Sequence, residues 1–169
     1  MGDGNAGAAN VAQQVGFLAG AAVAVADIGK GVAAVIIARQ GSPMEAVALL
    51  AGLAAVFGHN WSVLLHFQGG RGAATALGVM IVFLSKETAL LLAIAAIPFL
   101  LSRNKNLFFP VLFAPLFLVA WRFGQPTYLV VYAIAIPAVV GLTDYWKTRN
   151  PETQREDEEE EPLATPHEL

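Results

Sequence analysis

The feature that most constrains this chain is a series of six apolar stretches separated by short polar breaks. They cover Val11–Ala38, Ala46–Phe57 (continuing towards Leu65), Ala73–Leu84, Ala89–Leu101, Leu107–Phe123 and Tyr128–Leu142. The breaks fall at Gly41-Ser42-Pro43, Gly69-Gly70-Arg71-Gly72, Ser85-Lys86, Ser102–Asn106 and Gly124-Gln125-Pro126. A bilayer core of about 30 Å takes roughly 20 apolar residues per helix. Several runs are shorter than that, so a soluble helical core is the competing picture. Composition decides between them. The chain is 56% hydrophobic and 14% charged, whereas globular chains hold about 45–50% and about 25%. Open strands are excluded, because unpaired backbone groups in lipid cost several kcal/mol each. Abundant Ala and Gly suit the close helix contacts that replace a hydrophobic drive inside a membrane. The sequence predicts an all-α polytopic membrane helix bundle with about six transmembrane helices.

Charge divides the chain in two. Residues 1–143 carry seven Lys/Arg and four acids, a net of +3, and residues 144–169 carry three basic residues and nine acids, a net of −6. The second group contains a run of glutamates that cannot bury a core. Residues 1–150 are therefore expected to form one membrane domain, and residues 151–169 a disordered acidic tail. The absence of cysteine excludes a disulfide scaffold, a thiolate metal site and a cysteine nucleophile. With no basic stripe, a nucleic-acid partner is not expected. Residues 1–10 lack the basic and apolar regions of a secretory leader. If residues 2–10 are cytoplasmic and each stretch crosses once, Arg71, Arg103, Lys105, Lys147, Arg149 and Arg155 share that side. Arg39, Lys86 and Arg122 lie opposite, as the positive-inside tendency asks. Trp61, Trp121, Tyr128 and Trp146 sit near span ends, where an aromatic belt accounts for them.

Three polar, glycine-dense stretches carry the candidate chemistry. The first, from Gly2 to Asn10, includes Gly4, Asn5 and Gly7 and leads into a helix, where free N–H groups can cradle an anion. The second joins Gly58-His59-Asn60-Trp61 to Gly69-Gly70-Arg71-Gly72 at another helix start. There a guanidinium and backbone donors match a phosphate, and His59 and His66 can donate or carry protons. An interfacial arginine meeting lipid headgroups is the structural alternative. Two histidines without a carboxylate at ligand spacing do not make a zinc site. The third is Asp27-Ile28-Gly29-Lys30-Gly31, where Asp27 and Lys30 stand three apart and can pair on one helix face.

These stretches, in this order, resemble the bacterial membrane glycerol-3-phosphate acyltransferases that use acyl phosphate. The family motif G-S-G-N-P-G-A-T-N-V is matched by Gly2, Gly4, Asn5, Gly7, Ala8, Asn10 and Val11, with Asp3, Ala6 and Ala9 at the departures. The motif D-x-x-K-G is matched by Asp27, Lys30 and Gly31. The motif G-H-x-x-P-x-x-L-x-F-x-G-G-K-G-V-A-T is matched at Gly58, His59, Leu65, Phe67, Gly69, Gly70, Gly72, Ala74 and Thr75, with Arg71 in place of lysine. A T-R-x-x-S-L loop corresponds to Ser102–Leu107. The terminal R-H-x-x-N-I motif is replaced by Asp144–Asn150, which holds no histidine. Family members begin with a further helix bearing Ser and Arg, so the resemblance implies seven helices, the first not represented here.

The resemblance implies transfer of a fatty acyl group from acyl phosphate to the 1-hydroxyl of glycerol 3-phosphate, giving lysophosphatidic acid for phospholipid biosynthesis. It implies no cofactor and no metal; acyl phosphate, glycerol 3-phosphate and membrane lipids are the implied partners. The resemblance further implies that the substrate's own phosphate serves as base. Arg71 and the amides of Gly69, Gly70 and Gly72 are expected to hold phosphate, supported by Gly4, Asn5 and Gly7. Asn10 is expected to orient substrate, Lys30 to add charge or structure, Arg103 to add charge, and His59 to bond near the reacting group. One of Arg103, Lys105, Lys147 and Arg149 is expected to make up for the absent terminal histidine. The site loops and the tail are expected on the cytoplasmic face of the cell membrane. The alternatives are a divergent member that binds phosphorylated ligand with little turnover, and a small transporter or structural membrane subunit in which Asp27 and Lys30 form an ion-path pair.

Overall fold

The computed structural model describes residues 7–62, 69–102 and 105–149. Among these are eight helices: α1 (Ala8–Gln14), α2 (Phe17–Gly41), α3 (Glu45–Asn60), α4 (Ala73–Phe83), α5 (Ser85–Ser102), α6 (Lys105–Phe113), α7 (Leu116–Arg122) and α8 (Thr127–Arg149). The expected all-α membrane bundle is what forms. Helices α2 and α8 are long and apolar enough to cross a bilayer. Large apolar side chains face outwards along them, including Leu18, Val25, Ile37 and Leu142, as a lipid-facing surface requires. Trp121, Tyr128 and Trp146 are exposed near helix ends.

Two breaks differ from the sequence expectation. Val11–Ala38 reads as one apolar stretch, and α2 runs through Asp27–Gly31 unbroken. The chain breaks instead at Val15 and Gly16, where Gly16 takes φ +132°. α1 folds back onto α2, with Ala8 and Ala12 against Gly20. The apolar run Leu107–Phe123 divides into α6 and α7 at Ala114-Pro115, because a proline cannot donate to the preceding turn.

Helices α2 and α3 form an antiparallel pair, seen in the contacts Arg39–Glu45, Val35–Gly52 and Asp27–His59. One glycine in the middle of α2 serves packing. Gly31 lies against the carbonyl of Thr75, and Gly78 of α4 against that of Ile28, so the two backbones touch where side chains would hold them apart. Around this contact the core gathers Val35, Val56, Val79, Met80, Leu84, Leu112 and Ile136, all fully buried. Tyr132 of α8 donates to Leu49 O at 2.7 Å and ties α8 to α3.

This arrangement sorts the helix ends. At one end Arg39, Glu45 and Phe83 meet, with Arg39 4.8 Å from the Phe83 ring centre. The buried Glu87 accepts a bond from Gln125 at 2.6 Å. At the other end the C-termini of α3 and α8 meet the loop that starts α4. That second end contains the candidate site.

Candidate active site

The site is built on the last turn of α3, the segment Gly69–Gly72 and the last two turns of α8. Asp27 reaches it from the middle of α2 and is 3% exposed. Its Oδ1 accepts from Lys30 Nζ at 2.9 Å and lies 3.4 Å from His59 Nδ1. The expected pairing of Asp27 with Lys30 is present. Lys30 remains largely solvent-facing, with a side chain 61% exposed, so the buried carboxylate is held chiefly against His59. A buried carboxylate without such partners would be strongly destabilising.

His59 is the hinge between Asp27 and the glycine loop. On one side Nδ1 faces the carboxylate; on the other Nε2 packs over Gly70, where a Cβ would overlap the imidazole. Gly69 is pressed against the backbone carbonyl of His59, and Gly72 against the Asn60 side chain. Gly72 also takes φ +77°, the left-handed conformation that L side chains adopt at a cost, and it caps the N-terminus of α4. The loop is glycine-rich because it lies flat on two side chains of α3.

Asn60 is fully buried. Its Nδ2 donates to Thr143 Oγ1 at 2.9 Å, while Oδ1, beside Gly72, has no partner among the described residues. Thr75 Oγ1, one turn into α4, is in the same condition. Buried polar atoms without partners are few in native folds and gather at functional places. Two of them lie along the start of α4.

Helix α8 faces this loop with an acid and a base. Asp144 Oδ1 lies 2.8 Å from Arg71 Nη1. Lys147 Nζ donates to Asn60 O at 2.9 Å, to Gly70 O at 3.0 Å, and to Gly69 O. Beside these groups an apolar groove of about 360 Å³ opens between α3 and α8, lined by Phe57, Trp61, Leu142 and Trp146 among others. Phe57 and Trp61 stack at 5.4 Å between ring centres.

The structure therefore brings together His59, Gly69, Gly70, Arg71 and Gly72 of the expected set, with Lys30 joined through Asp27. Asn10 lies on α1, which packs on α2, and Gly7 precedes that helix. Gly4, Asn5, His66 and Arg103 lie outside the described residues, as does the tail 151–169. Lys105 opens α6 and Arg149 closes α8, where its guanidinium lies 4.9 Å from the Tyr145 ring centre. Sequence reading did not single out Asn60, Thr143 or the partnership of Asp144 with Arg71. The spacing of Asp144 and Lys147, three apart, places those two on one helix face, and nothing in the sequence pointed from them to Asn60 or Arg71.

The profile of the family described as glycerol-3-phosphate acyltransferase matches residues 1–150. Glycerol-3-phosphate acyltransferase 4 of Dehalococcoides mccartyi is 38% identical over 149 residues, covering 88% of this chain and 80% of the relative. Glycerol-3-phosphate acyltransferase 1 of Moorella thermoacetica is 33% identical over 142 residues, covering 84% and 72%. Among solved structures, the integral membrane glycerol 3-phosphate acyltransferase PlsY (YgiH) is similar in two crystal structures. Its glycerol 3-phosphate form gives a TM-score of 0.77 at 30% identity, over 91% of this chain and 78% of that one. Its lysophosphatidic acid form gives 0.75 at 30% identity, over 89% and 78%. By sequence over nearly its whole described length, and by fold, the chain belongs to the glycerol-3-phosphate acyltransferase family.

Proposed function

We propose that the protein transfers an acyl group from acyl phosphate to the 1-hydroxyl of glycerol 3-phosphate. The carrying observation is the seating of Gly69–Gly72 on His59 and Asn60, which presents a half-buried guanidinium and the first amides of α4 at one place. That combination suits a phosphate group. The hydroxyl oxygen attacks the acyl carbon and a new ester C–O bond forms. The bond from the acyl carbon to the phosphate oxygen breaks, inorganic phosphate leaves, and the hydroxyl proton passes to a phosphate oxygen of the substrate. Holding two phosphorylated molecules side by side converts a bimolecular encounter into a local one. Arg71 serves the phosphate, and His59, kept in place by Asp27, bonds near the reacting group. The apolar groove between α3 and α8 suits the acyl chain. Glycine residues Gly4 and Gly7, with Asn5, Asn10, Lys30 and Arg103, complete the proposed binding set.

We place the loops and the acidic tail on the cytoplasmic side, on the strength of six basic residues against three across the alternating segments. The contact of Asp144 with Arg71 favours a second reading, a divergent member that binds phosphorylated ligand and turns over slowly. Purified protein in lipid, supplied with acyl phosphate and labelled glycerol 3-phosphate, separates the two. Acyl transfer predicts labelled lysophosphatidic acid, reduced about 10- to 150-fold in Arg71→Ala by loss of charge-assisted hydrogen bonds worth about 1.5–3 kcal/mol. Product no higher than in Arg71→Ala overturns it.

A further inference from the structure

We propose that Lys147 is a positioning residue for phosphate recognition, holding the backbone of the glycine loop so that two of its amides face the ligand. The inference deepens the proposed acyl transfer and rests on it. An ammonium has three N–H donors and no acceptor. In Lys147 all three donors are directed at carbonyls, those of Asn60, Gly69 and Gly70. The ammonium therefore has no proton left for a substrate oxygen, and its effect on a ligand must pass through the loop.

Peptide geometry gives the direction of that effect. In a trans peptide the C=O and N–H of one unit point opposite ways. Turning the Gly69 carbonyl towards Lys147 turns the Gly70 N–H away from it. Turning the Gly70 carbonyl towards Lys147 does the same to the Arg71 N–H. The two amides thus aimed stand immediately before the guanidinium-bearing residue and the N-cap glycine of α4. Two successive carbonyls directed at one point is not the alternation of extended chain. It persists because a cation stabilises both. Gly69 and Gly70 are buried against His59, so without Lys147 their carbonyls would be left inside the protein without donors, and the peptide units would rotate to find them. Arg71 would keep its charge and lose the adjacent amides.

On this reading Lys147, of the four cations named, is the one that stands in for the terminal histidine. Its place on α8, one turn beyond Asp144, puts its ammonium against the loop carbonyls.

The test compares wild type, Lys147→Met, Lys147→Arg and Tyr132→Phe, each in lipid nanodiscs. Glycerol 3-phosphate binding is measured by calorimetry, and steady-state lysophosphatidic acid formation alongside it. Tyr132→Phe removes a different bond from α8 to the α3 backbone, far from the loop, and reports the effect of loosening that helix pair alone. Lys147→Met is expected to weaken glycerol 3-phosphate binding at least tenfold and to raise its KM by a similar factor, with kcat falling less than threefold. Lys147→Arg restores binding to within threefold of wild type, and Tyr132→Phe binds within twofold. Wild-type binding by Lys147→Met overturns the proposal, as does an equal loss in Tyr132→Phe. If wild type binds glycerol 3-phosphate, Lys147→Met does not, and no lysophosphatidic acid forms, positioning stands and acyl transfer falls.

Discussion

Arg71 Nη1 lies 2.8 Å from Asp144 Oδ1, so the cation proposed to hold phosphate is already paired with a carboxylate. Both side chains are substantially exposed, at 40% and 48%. A pair this wet is worth about 0–1 kcal/mol, and a phosphate dianion brings more charge than one carboxylate. On the proposed reading Asp144 therefore competes with the ligand without excluding it. Asp144→Asn should lower the KM for glycerol 3-phosphate by a factor of up to about 5, the value of about 1 kcal/mol. An unchanged or raised KM would show that the pair organises the site instead of competing with it.

Asp27 and Lys30 should not be equivalent on mutation, although they form one ion pair. Asp27 is buried and faces His59 as well, while the Lys30 side chain is 61% exposed. Asp27→Ala leaves His59 without its carboxylate and should destabilise the protein by about 1–3 kcal/mol. Lys30→Ala should cost less than about 1 kcal/mol. Thermal unfolding in detergent reads both; equal costs would mean that the His59 contact contributes nothing.

Gly72→Ala should lower both stability and activity. The substitution forces a non-glycine residue to φ +77° at about 1–2 kcal/mol and drives a Cβ onto the Asn60 side chain. Because the loop must shift to relieve that overlap, kcat/KM should fall by at least about tenfold, as misplacement by an ångström does elsewhere. Full activity in Gly72→Ala would show that the loop tolerates another conformation.

Two glycines two residues apart on α2 should respond in opposite directions. Gly31 touches the Thr75 carbonyl, so Gly31→Ala pushes two backbones apart and should cost about 1–3 kcal/mol. Gly29 is exposed with open space around its Cβ position, and Gly29→Ala should stabilise the helix by about 0.5–1 kcal/mol. Melting temperatures of the two variants check the sign of each change.

The sequence carried the bundle and the positions of the motifs. Apolar content adds along a chain, so 56% hydrophobic against 14% charged residues is enough to place helices in lipid before any contact is known. Helical spacing likewise reveals pairs three or four apart, which is why Asp27 with Lys30 was legible. Breaks were less so. The break at Val15 and Gly16 lies inside one apolar stretch and leaves no polar mark, and the role of Gly31 in close approach to α4 shows only across the bundle.

What only the tertiary structure decided is who faces whom at the site. Lys147 meets Asn60, Gly69 and Gly70 from 77 to 87 residues away, and Asp144 meets Arg71 across a similar stretch. No local period encodes such pairings, because they depend on which end of α8 lies beside the C-terminus of α3 and on its rotation about its axis. The residue types of the proposed phosphate loop are written in the order Gly-Gly-Arg-Gly. The direction in which that loop turns its amides is set by a lysine on the last helix.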